Sequence, residues 1–198
     1  MSDRTAVFLD RDGTLNVEVD FLRTPDELRL IPGAAAAVRK LNDRGFVTCV
    51  ISNQSGIARG FFTEADLIPI HAKLREELLR AGAKLDRIFY CPHHQTAGNG
   101  PYNIECECRK PKPGMLQQGA REFNIDLRRS FVVGDSVVDM QAGNAVGATT
   151  ILVLTGYGKE SIQTCSEQNI AINFVADSIV EAVEIILQTV KGDKTDND

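Results

Sequence analysis

The chain has no tryptophan, and aromatic residues make up only 6% of its 198 positions. Nor is there a basic excess: 27 acidic residues outnumber 22 basic ones, for a formal charge of −5, and the isoelectric point is near 5.3. A nucleic-acid-binding surface wants a basic, aromatic footprint, and an acidic membrane surface wants a basic one. Both partner classes are therefore excluded as the main target, and any anionic ligand must be held locally. The opening "MSDRTAVFLDRDG" has no apolar stretch longer than a strand and no cleavage pattern. It resembles neither a signal peptide nor an anchor, so a cytoplasmic location is expected. Internal repeats and low-complexity linkers are also missing.

What is present is ordinary globular material, 43% hydrophobic and 25% charged. That length suits one well-buried core, so a single domain over 1–190 is expected, working as a monomer. The closing "KGDKTDND", 191–198, reads as a solvated, frayed tail. Short β-branched runs alternate with helical spacing: "TAVFLD", "FVTCVIS", "RIFYC", "SFVVGD" and "TTILVLTG" read as buried strands, with a weaker sixth at "NFVAD". Helices are expected over Pro32 to Arg44, over Thr63 to Ala81 behind a Thr63/Asp66 cap, and over Pro113 to Phe123. In the last of these Met115, Leu116, Gly119, Ala120 and Phe123 form the buried stripe. Pro69 should kink the second helix or divide it. This alternation predicts an α/β fold with a doubly wound, Rossmann-like parallel sheet.

Such sheets bind ligands beyond the carboxyl ends of their strands. Four strand ends deliver polar chemistry there: Asp10-Arg11-Asp12-Gly13-Thr14, Ser52-Asn53-Gln54-Ser55-Gly56, the segment ending in Arg109-Lys110, and Gly134-Asp135. Asp10 and Asp12, two apart, should share a face and repel unless a cation lies between them. A hard divalent ion such as Mg²⁺ resolves that repulsion, with Asp135 as a further oxygen ligand. Lys110 supplies positive charge for a phosphoryl group, and Ser52 a hydrogen-bond donor. Asp10 can then attack phosphorus in line to form an aspartyl-phosphate, while Asp12 protonates the leaving oxygen and later deprotonates water. Asp139, one helical turn past Asp135, either orients Lys110 or the metal's waters, or is a first-turn helix acid.

The segment "CPHHQTAGNGPYNIECECRKPKPG" adds a second ligand set. Cys91-x-His93, then positions 94 to 105, then Cys106-x-Cys108 gives two close pairs that suit tetrahedral Zn²⁺. Four protein ligands close the coordination sphere, so the metal would be a staple for the loop 91–108 rather than an activator of water. Spacing alone leaves His94 as a competing imidazole. In a reducing compartment Cys91, Cys106 and Cys108 are expected as thiols or thiolates, not disulfides.

"FLDRDGTLN", "ISNQSG", "RKPKPGM" and "VVGDSVVDM" resemble, in order, the four motifs of the haloacid dehalogenase-like phosphatases. The resemblance implies that Asp10 is the nucleophile and Asp12 the acid/base. It implies that Mg²⁺ is held by Asp10, the backbone carbonyl of Asp12 and Asp135, that the active site has a minimal cap, and that His93 is the imidazole of the zinc loop. Arg109 would contact substrate; Glu18, Val19, Asp20 and Phe21 would form a substrate-facing flap; Arg11, Asn53, Gln54 and Ser55 would complete the lining. "SNQSGIARG" and the Cys/His loop point to the branch that hydrolyses a heptose bisphosphate in making activated heptose for bacterial surface glycans. Histidinol phosphate is the alternative substrate. Two readings from other classes fail: a non-enzymatic phosphoacceptor receiver domain would carry its acceptor Asp after strand three, where Cys91 stands, and a zinc-stapled nucleic-acid module would be basic and aromatic.

Overall fold

The computed structural model describes residues 4–98 and 100–192. Six parallel strands, β1 (Ala6–Leu9), β2 (Val47–Asn53), β3 (Arg87–Cys91), β4 (Phe131–Gly134), β5 (Thr149–Val153) and β6 (Phe174–Ala176), form one sheet. Their order is β3-β2-β1-β4-β5-β6. The order reverses at β1, between β2 and β4, which is where an open α/β sheet forms its ligand crevice. The β-branched runs expected as strands are these six, and the sheet is the doubly wound one expected.

Side chains alternate across the sheet because successive Cβ atoms of a strand point to opposite faces. Val7, Leu9, Val50, Val133, Ile151 and Val153 face one side, with α1 (Ala34–Asp43), the short α2 (Ser55–Ala58), α3 (Glu64–Arg80) and α7 (Ile179–Gly192) packed on them. Phe8, Cys49, Ile51, Phe89 and Val132 face the other, under α4 (Gly114–Phe123) and α5 (Val137–Asn144). A smaller cluster of Met140, Leu152 and Cys165 seats α6 (Gly158–Glu167). The α4 stripe buries Met115, Leu116 and Gly119, while Ala120 and Phe123 pack on that core from its edge. Gly119 permits the close approach, since a Cβ there would stand 2.7 Å from the Phe8 ring.

Pro69 does not divide its helix: α3 runs continuously from Glu64 to Arg80 behind a Thr63/Asp66 capping box. Proline removes the bond its N–H would make to the carbonyl four residues back. Here Ala65 and Pro69 both lie on the exposed face, so that carbonyl is left to water at little cost. At the other end, Lys191 and Gly192 still belong to α7, so the expected tail starts later than 191, and 193–198 lie outside the described residues. No helix among the described residues is long and apolar enough to cross a membrane.

Candidate active site

Asp10 follows β1 directly, and the chain then turns back on itself: Leu15 N–H donates to the Arg11 carbonyl at 2.9 Å and Gly13 N–H to the Asn16 carbonyl at 2.8 Å. Gly13 has φ +77°, and a Cβ on it would lie 2.1 Å from Asp135 Oδ2. Gly156, after β5, presses on the same carboxylate from the other side, where a Cβ would lie 2.0 Å away. Two glycines thus make the cradle into which β4 delivers Asp135.

Asp10, Asp135 and Asp139 can each place an oxygen within 4.8 Å of the others, and all three residues are buried. Burial pushes the Asp10 carboxyl up to about 7; Lys110 opposes that rise and Asp139 and Asp12 reinforce it. Burial also lifts Asp135 to about 8, with repulsion from Asp10 and Asp139 adding to it. Lys110 is the counter-charge. Its Nζ donates to Asp139 Oδ1 at 2.6 Å and to the Ile51 carbonyl at 2.9 Å, and lies 2.9 Å from Asp10 Oδ1. Burial alone would favour the neutral amine, but these two acids hold Lys110 charged, well above the usual lysine range. Asp139 also accepts from the backbone N–H and hydroxyl of Ser136, capping α5. Both sequence readings of Asp139 therefore hold at once, as helix cap and as partner of Lys110.

Asp12 stands apart from that cluster. The prediction that Asp10 and Asp12 side chains share a strand face presumes that the strand continues, whereas β1 ends at Leu9. Asp12 instead accepts from Arg11 Nε at 3.0 Å and Nη2 at 2.7 Å, from Asn16 Nδ2 at 2.9 Å and from Gln54 Nε2 at 3.1 Å. Burial would raise its pKa, but the Arg11 guanidinium and these amides bring it below the ordinary carboxylate value. Gln54 also donates to Ser52 Oγ at 2.7 Å, leaving the Ser52 hydroxyl hydrogen free for a ligand.

A cavity of about 230 Å³ opens over this group. Asp10, Asp12, Glu18, Asp20, Phe21, Ser52, Ser55, Lys110 and Asp135 all line it. Arg11, Asn53 and Gln54 line it as well, as expected, each with partners of its own. The Arg11 side chain is 1% exposed and paired with Asp12 and Gln54. Asn53 uses its amide on Lys110, donating to its carbonyl at 2.9 Å and accepting from its N–H at 3.0 Å. Val19 does not line the cavity and is 43% exposed. Arg109 lines a neighbouring cavity with His94, Ile104 and Lys112, where its Nη1 donates to the His93 carbonyl at 3.1 Å. Lys110 borders both cavities. Tyr157 and Ser136 also line the first, and the sequence reading missed them. The end of β5 obeys the same strand-end rule as the other four and was the available signal for Tyr157.

The second cluster joins Cys91, His93, Cys106 and Cys108. Their sulfurs lie 3.2 to 3.5 Å apart, and His93 Nδ1 is 3.5 Å from Cys108 Sγ and 3.7 Å from Cys91 Sγ. With Zn–S bonds of about 2.3 Å, tetrahedral thiolates stand about 3.8 Å apart, so the four atoms fit such an ion. All five cysteines are unbridged. His94 is committed elsewhere, its Nδ1 accepting from the backbone N–H groups of Thr96 and Ala97. For Mg²⁺ the fit is of the other kind: hard carboxylate oxygens, crowded and buried, whose repulsion a cation relieves.

A family model described as HAD-hydrolase-like matches residues 107–182. The chain is 42% identical over 184 residues to the D-glycero-beta-D-manno-heptose-1,7-bisphosphate 7-phosphatase of Pasteurella multocida, covering 92% of this chain and 97% of that one. It is 41% identical over 182 residues to the enzyme of the same name from Haemophilus influenzae, covering 91% and 96%. Among solved structures, D,D-heptose 1,7-bisphosphate phosphatase from B. bronchiseptica, complexed with magnesium and phosphate, superposes with a TM-score of 0.83 at 36% identity, covering 93% of this chain and 99% of that one. On these likenesses and the geometry above, the chain belongs to the heptose-1,7-bisphosphate 7-phosphatase family of HAD-like hydrolases.

Proposed function

We propose that the protein is a phosphoric monoester hydrolase that removes the 7-phosphate of D-glycero-D-manno-heptose 1,7-bisphosphate, leaving heptose 1-phosphate for nucleotide-activated heptose synthesis. The observation that carries the chemistry is the buried Lys110 ammonium beside Asp10 in a cavity whose other carboxylates call for a cation. The names of the relatives and the magnesium and phosphate of the solved neighbour support the substrate and the ion. Histidinol phosphate is not favoured by those names. One domain over 1–190 carries the activity, as a cytoplasmic monomer acting on a small molecule without a nucleic-acid or membrane partner.

Asp10 attacks phosphorus in line: its carboxylate oxygen forms a bond to phosphorus as the bond to the sugar oxygen breaks. Asp12 gives that oxygen its proton. A phosphoryl dianion entering beside Asp12 raises its proton affinity, which offsets the lowering by Arg11 and lets one carboxyl serve as acid. In the second half Asp12 takes a proton from water as the water oxygen bonds to phosphorus and Asp10 is released. Mg²⁺, held by Asp10, Asp135 and the Asp12 backbone carbonyl, would supply positive charge to the phosphoryl oxygens when bound. Lys110 already gives two of its three N–H bonds to Asp139 and Ile51, so the one toward Asp10 is free to pass to a phosphoryl oxygen. Ser52 donates beside it. Zn²⁺ in the Cys91, His93, Cys106 and Cys108 cluster would fix the loop that carries Arg109 and Lys110.

The test is phosphate release by purified protein with Mg²⁺ from both anomers of the heptose bisphosphate and from histidinol phosphate. Turnover should be fastest on a heptose bisphosphate. Faster turnover of histidinol phosphate would reject the substrate reading, and phosphate release without dependence on Asp10 would reject the mechanism.

A further inference from the structure

Tyr157 stands in the turn between β5 and α6, and that turn touches three parts of the site. Its backbone N–H donates to Asp135 Oδ2 at 2.8 Å, and its hydroxyl to Asp20 Oδ1 at 3.1 Å. Two residues earlier, Thr155 Oγ1 donates to the Gly13 carbonyl at 2.6 Å. The flap segment 17–23 is anchored at its ends, by Val17 N–H to the Arg29 carbonyl at 2.8 Å and by Leu22, 2% exposed in the core, while its middle is open, with Val19 43% exposed. It carries a tight turn in which Phe21 N–H donates to the Val19 carbonyl at 2.7 Å, with Asp20 left-handed at φ +60°. The next residue, Phe21, packs edge-on against Phe61 with centroids 4.8 Å apart. The middle of the flap is thus held by contacts at adjacent residues, Asp20 to Tyr157 and Phe21 to Phe61, and Glu18 lines the cavity beside them.

We propose that Tyr157 is a positioning residue for substrate: its hydroxyl latches the flap through Asp20 while its backbone N–H aims Asp135. One residue then sets both the wall that closes over the sugar and the carboxylate beneath the phosphoryl group. Burial and the Asp20 and Glu18 carboxylates push the phenol up to about 12, so it remains a donor at every working pH. An exposed hydrogen bond contributes modestly, which suits a latch that must open for product.

The kinetic arm rests on the substrate reading above; the exchange arm does not. Tyr157→Phe removes the hydroxyl and keeps the ring and the N–H. It should raise KM for the heptose bisphosphate roughly 3- to 10-fold, with a smaller change in kcat, and should speed amide hydrogen exchange across 17–23 in the substrate-free protein. Asp20→Ala should do the same, and the double variant should be no worse than either single one. Unchanged KM and exchange in Tyr157→Phe, or effects that multiply in the double variant, overturn the latch. So does a lower melting temperature with KM and flap exchange both unaltered. Should wild-type protein leave the heptose bisphosphate intact, the substrate reading fails while the exchange comparison still decides the latch.

Discussion

The molecule holds two ligand clusters of opposite design at the carboxyl edge of one sheet. At the ends of β1 and β4, Asp10, Asp135 and Asp139 are hard and buried, with Lys110 as the one cation paired with them among the described residues, beneath an open cavity. In the loop after β3, Cys91, His93, Cys106 and Cys108 are soft, mostly half-buried, and supply all four corners of a tetrahedron by themselves. A site that leaves ligand positions to be filled from outside can do chemistry, whereas one that fills its own can only hold shape. Lys110 lies two residues beyond Cys108, so the second cluster aims a charge into the first. Glu64 ties the same loop to the core, accepting from the hydroxyls of Tyr90 at 2.9 Å and Tyr102 at 2.6 Å.

The sharpest break between the two comes from Asp10→Asn, which removes the proposed nucleophile and should lower kcat by about 10³-fold or more, with the content of the proposed zinc unchanged on metal analysis. Next, Lys110→Ala should cost about 10²-fold to 10³-fold in kcat and also destabilise the fold by about 3–5 kcal/mol, because Asp139 is left buried without its cation. Denaturant titration in parallel with kinetics separates the two losses. Cys108→Ser should release the zinc and lower kcat/KM by about 10- to 100-fold, leaving Asp10 chemistry intact but poorly served by Lys110. After mild chelation of wild-type protein, added Mg²⁺ should restore activity fully so long as the proposed zinc is retained; equal loss with and without that zinc would erase the difference between the two clusters.

The smallest effect concerns His71, behind Arg11 on α3, whose ring burial, with Arg11 and Arg75, lowers to about 4. Between pH 4 and its unfolded value of about 6.5 the unfolded chain binds more protons at this position than the folded one. Stability therefore falls as pH drops through that window. His71→Phe should flatten this part of the pH–stability curve in melting experiments, with little change at pH 8.

Much of the site was legible because its ingredients are local. Asp10, Ser52, Lys110 and Asp135 each follow a recognisable strand or motif, and parallel strands must end at the same edge. Departures arose where a local rule was carried past its element. Strand alternation put Asp12 and Asp10 on one face; the two do line one cavity and repel, but β1 stops at Leu9 and it is the following turn, not the strand, that places Asp12 against Arg11. Arg11 and Asn53 line the cavity as expected, but their partners were not legible: the first is paired bidentately to Asp12 and the second to the backbone of Lys110. Tyr157 carries no motif, and its partners Asp20 and Asp135 are 137 and 22 residues away.

By itself the sequence determined the alternation of strands and helices, the edge where the acids and the lysine gather, and the hard and soft character of the two ligand sets. These depend on residue type and short spacing, which elementary chemistry reads directly. Only the tertiary structure decided which charge faces which: Lys110 against Asp139, Arg11 turned under Asp12, Arg109 in a neighbouring cavity, Tyr157 over the flap. Such pairings depend on side-chain direction and on contacts between distant segments, and in a buried site they decide which groups remain free to act.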